Sequence, residues 1–241
     1  MPLPKIDTPT FEFVQPSTQD TLLVRPFLVK EEKILLTAKE SGERKEIFNA
    51  VRQIVNNCVL KEGFEVSDCT LYDLEYLFLK IRAVSIDNMV RFTVEDSDDG
   101  ITYDLELDLN DVEVSFPEGH DSKIPINEKC GIVLKHLTPD VTEKIAGVNT
   151  LTELSYATIT ESIDHVYDEE DVYSWYEVSQ KEKDEFMEQL PLDVFKSIEA
   201  FFASTPGIHH VVEYENSAGD TKKVVFRNID DFFTLYWVIK R

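Results

Sequence analysis

Apolar positions change their spacing several times along this chain, and each change predicts a new element. Phe11 and Phe13 alternate with polar residues. QPSTQD reads as a turn, and Leu22, Val24 and Phe27 supply the apolar side of a second strand, so residues 11–27 predict a β-hairpin. Pro26 should close that strand, because proline has no N–H for a ladder. VKEEKILLTAKES then collects good helix formers and stops near Gly42, a fitting C-terminal glycine. EIFNAVRQIVNNCV places Ile47, Val51, Ile54, Val55 and Cys58 on one helical stripe that Gly63 ends. Thr70-x-x-Asp73 opens a third helix in capping-box spacing, with Leu74, Leu77, Phe78 and Ile81 sharing a face. Residues 29–84 therefore predict a three-helix unit with short connections.

Near Met89 the period shifts from about 3.6 to 2. MVRFTVE, SDDG and ITYDLELDL predict a hairpin whose second strand alternates Ile101, Tyr103, Leu105, Leu107 and Leu109 with an acidic face. DVEVSF repeats the alternation, and KIPI adds an edge strand. Beyond it the chain reads mostly as helix. Thr138 is an N-cap with Pro139 at the first helical position, Ser179 and Glu182 form a capping box, and PLDVFKSIEAFFAST is amphipathic. HHVVEYE, NSAGD and KKVVFRN predict another hairpin, and Asn228 with Asp231 caps a closing helix. The expected class is α+β. The expected divisions are 1–88 (hairpin plus helical unit), 89–137 (antiparallel β module) and 138–241 (helices with a β-hairpin), with a boundary near 137.

Composition narrows the function. The 47 acidic residues against 24 Lys and Arg give a net charge of -23, a field that repels phosphate backbones and anionic membrane surfaces and attracts basic partners. No apolar run reaches the ~18 residues a membrane span needs, and the opening residues lack the order of a secretory signal. Three cysteines give no disulfide framework, which fits a reducing cytosol.

Reactive constellations are sparse. Cys58, Cys69, Cys130 and His136 lack zinc spacing, so Cys58 and Cys130 read as small core residues. His209 and His210 are adjacent in a strand and face opposite ways, so they cannot share an ion. EDSDDGITYDLE imitates an EF-hand register through Glu95, Ser97, Asp99, Gly100 and Glu106, but its flanks alternate like strands and predict a β-turn. The acidic run at 168–171 reads as a solvated loop or a face for a basic partner. There is no G-x-S-x-G, phosphate loop or dinucleotide fingerprint. The expectation is a protein without catalytic residues, metal or cofactor that binds other proteins. Two other readings are an acidic DNA mimic and a metal-assisted hydrolase. The candidate partner-binding residues are Phe27, Ile34, Leu35, Leu77 and Phe78, around a groove in the helical unit that would grip a partner helix, and Phe232, Phe233, Tyr236 and Trp237 near the C-terminus. For Phe201, Phe202 and the C-terminal aromatics, core and interface readings stand side by side.

RPFLVKEEKILLTAKESGERKEIFNAVRQIVNNCVL and LYDLEYLFLKIRAVSI resemble the baseplate hub assembly family of T-even-type contractile-tailed bacteriophages. LELDLNDVEVSF, FFASTPGI and DFF extend the resemblance from about Phe11 to Phe233, and Arg25 through Ile86 carry its most specific part. It implies a non-enzymatic role in building the tail baseplate hub, as assembly factor or small hub component. The implied partners are hub or tape-measure proteins, in the host cytoplasm during assembly or in the virion. Family members carry hairpin cysteines suggestive of a metal knuckle; SDDG stands at that turn here, so no metal is implied.

Overall fold

The computed structural model describes residues 6–148 and 150–232. The fold is α+β and forms two compact units, one from residues 1–115 and 207–241, the other from 116–206. These units divide the chain at other places than the changes of period near 89 and 137. Strands within residues 207–226 return to the first unit, because they pair or pack with segments about a hundred residues earlier.

The first unit begins with the expected hairpin, β1 (Phe11–Val14) and β2 (Thr21–Val24), which turns its apolar side chains toward three helices. They are α1 (Val29–Ser41), α2 (Arg44–Cys58) and α3 (Leu71–Ser85). Helix α1 stops where Gly42 takes a left-handed φ of 69°, a conformation that costs a residue with a Cβ far more than glycine. The α2 stripe is interior: Val51, Ile54, Val55 and Cys58 are buried and Ile47 packs at their edge. The hairpin β3 (Met89–Glu95) and β4 (Thr102–Asp108) is in full register. Ile101 lies outside the strand and is exposed, and Leu109 sits in a 3-10 turn, fully buried. Next comes β5 (Val114–Ser115).

The second unit holds β6 (Lys123–Pro125), β7 (Gly131–Leu134), α4 (Pro139–Ile145), α5 (Leu151–Ser162), β8 (Ile163–Tyr167), β9 (Val172–Ser174), α6 (Gln180–Glu188) and α7 (Leu192–Ala203). Its strands form one antiparallel sheet in the order β6-β7-β8-β9. Helices α4 to α7 match the expectation of mostly helix beyond residue 137, and β7, β8 and β9 build a sheet onto the edge strand expected at KIPI. Strands of three to five residues show too little alternation to register as a period, and pairing across the sheet supplies what propensity does not. The caps at Thr138 and Ser179 stand where their sequence places them. Ile132, Ile163, Ile198, Phe201 and Trp175 are central to this unit's core, and Phe202 packs at its margin, so Phe201 resolves as a core residue.

The chain re-enters the first unit at β10 (Gly207–Ile208), which pairs with β5 through Gly207↔Ser115 and Ile208↔Val114. A two-residue clasp thus closes the 116–206 excursion at its root. The expected hairpin follows as β11 (His210–Glu215) and β12 (Thr221–Phe226). Asn228 accepts from the Asp231 N–H, as its capping role requires. Among the described residues, no helix is long and apolar enough to cross a membrane.

Candidate partner-binding surfaces

The interior of the first unit is fixed by directional polar contacts. Arg25, just past β2, meets Glu31 in the first turn of α1 as a bidentate pair, with N···O distances of 2.9 and 3.2 Å. The same guanidinium donates to the carbonyls of Pro26 and Asn57, and Glu31 accepts the Leu28 N–H. Burial alone would raise the Glu31 pKa. Arg25 and the Leu28 amide outweigh it and hold the carboxyl below its ordinary value. One ion pair thus joins the end of β2, the start of α1 and the end of α2.

Asp73 does the same for the first hairpin. Its carboxylate caps α3 by accepting from the Thr70 N–H and hydroxyl, and it also accepts from Gln15 and from the Ser17 amide and hydroxyl. Lys80, also buried, donates to the Asn110 carbonyl at 2.6 Å and holds the 3-10 turn after β4.

The structure places the candidate partner residues differently. Leu35, Leu77, Phe78 and Phe232 are buried in the first unit's core, where they pack against other apolar side chains. Leu35, Phe78 and Phe232 border a void of ≈ 20 Å³, room for about one water. Phe27 lies half-buried against Phe78, with ring centroids 5.8 Å apart. Ile34 faces an opening, a groove of ≈ 440 Å³ between α1 and α2. Its floor is Ile34, Ala38 and Ala50, and Lys30, Lys33 and Glu46 stand among its lining. Phe233, Tyr236 and Trp237 lie outside the described residues. An amphipathic stripe tells which side chains leave water; it does not tell whether the chain itself or a partner covers them.

The SDDG turn is a structural clamp between two hairpin tips. Asp99 accepts from the Tyr103 hydroxyl at 2.6 Å and from the Ser217 amide and hydroxyl, and Asp96 accepts from the Tyr214 hydroxyl at 3.0 Å. Lys222 pairs with Asp98. These carboxylates are engaged by β4, by β11 and β12, and by Ser217 in the turn between them. Among the described residues no three His, Cys, Asp or Glu side chains converge as a metal-binding set. Cys58 and Cys69 are buried, and burial pushes their thiols up to about 11 and about 12. Cys130 is half-buried rather than interior, a correction to its expected core position.

With the geometry in place, the comparison with protein families is decisive. The family described as T4 bacteriophage base plate protein matches residues 8–234. The chain belongs to that family. In comparisons with curated proteins and with solved structures, nothing matches. The match takes in residues of both compact units and every anchor described above.

In the baseplate protein the acidic run at 168–171 forms the turn between β8 and β9. The Asp168 carboxylate accepts the Glu170 and Asp171 amides and the Tyr173 hydroxyl, which hold it below its ordinary pKa. This turn and β9 beside it carry exposed side chains, and nothing in the hydrophobic pattern marked Val172, Tyr173 or Tyr176 as surface apolar residues. The readable signal was the DEED run alone.

Proposed function

We propose that this baseplate protein works without catalysis in assembling the baseplate hub, by binding other tail proteins. Membership in the T4-type baseplate family carries this reading, and the resemblance of Arg25 through Ile86 to hub assembly proteins sharpens it toward the hub. Two further features support it. The buried thiols are held in their unreactive protonated form, and the α1–α2 groove of ≈ 440 Å³ offers an apolar floor open to a partner side chain. The net charge of -23 favours encounter with basic segments of hub or tape-measure partners in the host cytoplasm.

The test is a phage whose gene for this chain is interrupted by a stop codon. Infected cells should accumulate heads while hub-containing baseplates fail to form, as seen by electron microscopy of lysates. Complete baseplates would overturn the proposal. Mass spectrometry of mature wild-type particles then separates the two forms of the role: a whole-number copy count marks a hub subunit, and absence marks a transient assembly factor.

A further inference from the structure

The four-stranded sheet treats its two edges differently. Ladder contacts assign the backbone directions. Ile126 N–H bonds the Cys130 carbonyl and Leu134 N–H the Ser122 carbonyl, so the even residues of β6 face β7 and its odd residues, Lys123 and Pro125, face outward. A lysine and a donor-less proline are usual guards of a sheet edge. At the opposite edge, Asp168 N–H bonds the Asp171 carbonyl and Trp175 N–H the Asp164 carbonyl. The odd residues of β9 therefore face β8, and the backbone of Val172 and Ser174 points away from the sheet. No lysine, proline or bulge guards these positions. Val172 is 67% exposed and Tyr173 46%, and Tyr176 just beyond is 94% exposed. A hollow of ≈ 550 Å³ beside the strand is walled by Val172, Trp175, Val178 and Phe186, with Glu177 and Glu182 also lining it.

From these features we propose that β9 is a docking edge, to which a Lys- and Arg-rich extended segment of a tail partner adds as a further strand. The inference rests on the proposed protein-binding function and names the chemistry of one partner. The Val172 N–H and carbonyl and the Ser174 N–H supply the ladder, the Ser174 carbonyl already accepting the Glu177 N–H at 3.0 Å, and the hollow takes an apolar side chain of the incoming strand. Charge selects the occupant. Asp168, Glu169, Glu170 and Asp171 precede the strand and Glu177 and Glu182 follow it, against Lys129 on Glu169 and Lys183 over the Trp175 ring. A second copy pairing edge to edge would bring two such runs together, so the acids that disfavour self-association favour a basic strand.

The test uses the full chain and a seven-residue peptide of alternating Lys and Val. Binding is followed by NMR shifts and by hydrogen-exchange protection of the Val172 amide. Protection should appear at Val172 and Ser174, weaken as salt is raised, and be absent with the matching Glu–Val peptide. Val172→Pro removes one outward N–H without touching the β8 ladder, and should weaken binding by about tenfold or more while leaving the melting temperature near that of the parent. Should Val172→Pro disturb the fold, the doubly neutralised variant Glu170→Gln, Asp171→Asn carries the test through its loss of salt-dependent binding. No binding, equal binding of the Glu–Val peptide, or shifts confined to the α1–α2 groove would overturn the docking edge. None of these outcomes touches the assembly phenotype of the interrupted gene, which judges the wider function by itself.

Discussion

The two compact units solve the problem of holding a fold together in different ways. Among the described residues of the first, Gln15, Arg25, Glu31, Asp73, Lys80, Asp96 and Asn216 are buried polar or charged groups. The second buries only Thr160 and Ser162 of this kind among its described residues, and keeps its charges at the surface. The difference follows from chain connectivity. The first unit gathers segments far apart in sequence, and apolar contact alone does not specify which segment meets which. Directional contacts such as Asp73 with Ser17, or Lys80 with the Asn110 carbonyl, do. The second unit is one continuous run whose sheet neighbours follow in chain order, so apolar packing and ladder pairing suffice. Its surplus charge is thereby left for the surface, where β9 lies.

Breaking the first unit's anchors should have the largest effect. Arg25→Ala strips the bidentate partner from a carboxylate with no exposed surface, leaving only the exposed Lys30 ammonium at 3.4 Å, and should cost about 3 kcal/mol, read as a lower urea midpoint by circular dichroism. An unchanged midpoint would mean that the ion pair is not what fixes the β2, α1 and α2 junction.

In the second unit the weak point is packing rather than charge. A Cβ at Gly131 would strike the Tyr167 hydroxyl and lie 2.7 Å from the Ile124 carbonyl, so β6, β7 and β8 converge on a position with no room. Gly131→Ala should cost about 1–3 kcal/mol and loosen the sheet, seen as faster hydrogen exchange at Ile132 and Val166.

A pH series sharpens the contrast. Burial, with Asp230 and Asp231 nearby, pushes the Glu75 carboxyl up to about 7, although the Ile229 amide opposes the shift. The native state then holds this proton more tightly than the unfolded chain, whose glutamate titrates near ~4.3. Its contribution to stability is full below that value and is lost as pH rises through about 7. Wild-type protein should melt lower above this window than inside it, and Glu75→Gln should flatten the difference. Parallel curves for the two proteins would remove Glu75 as the cause.

The smallest effect is expected at the surface of the second unit. Lys129 and Glu169 are both exposed and 3.0 Å apart, so Lys129→Ala should change stability by less than about 0.5 kcal/mol. A loss larger than that of Gly131→Ala would reverse the assignment of charge to surface and packing to core.

How far the sequence could be read depended on range. The helices, their caps at Thr70, Thr138 and Ser179, and the hairpins of the first unit rest on neighbours three or four residues apart, or on a single tight turn, and were legible for that reason. Of the four-stranded sheet only the edge strand at KIPI was legible, because β7, β8 and β9 are too short to show a period. For partner surfaces the limit was of another kind. Ile34 and Leu35 are consecutive and equally apolar, yet one faces a groove and the other the core.

By itself the sequence determined the α+β class, the acidic field, the local elements and, through its words from Arg25 to Ile86, the baseplate family. These depend on composition or on contacts between near neighbours. The tertiary structure alone decided that β5 clasps β10 across the 116–206 excursion, that Asp73 reaches back to the first hairpin, and that β9 stands at an edge of its sheet. The first two are choices of partner between distant segments. Many pairings satisfy the same hydrophobic pattern, and only three-dimensional packing with complete hydrogen bonding selects one of them.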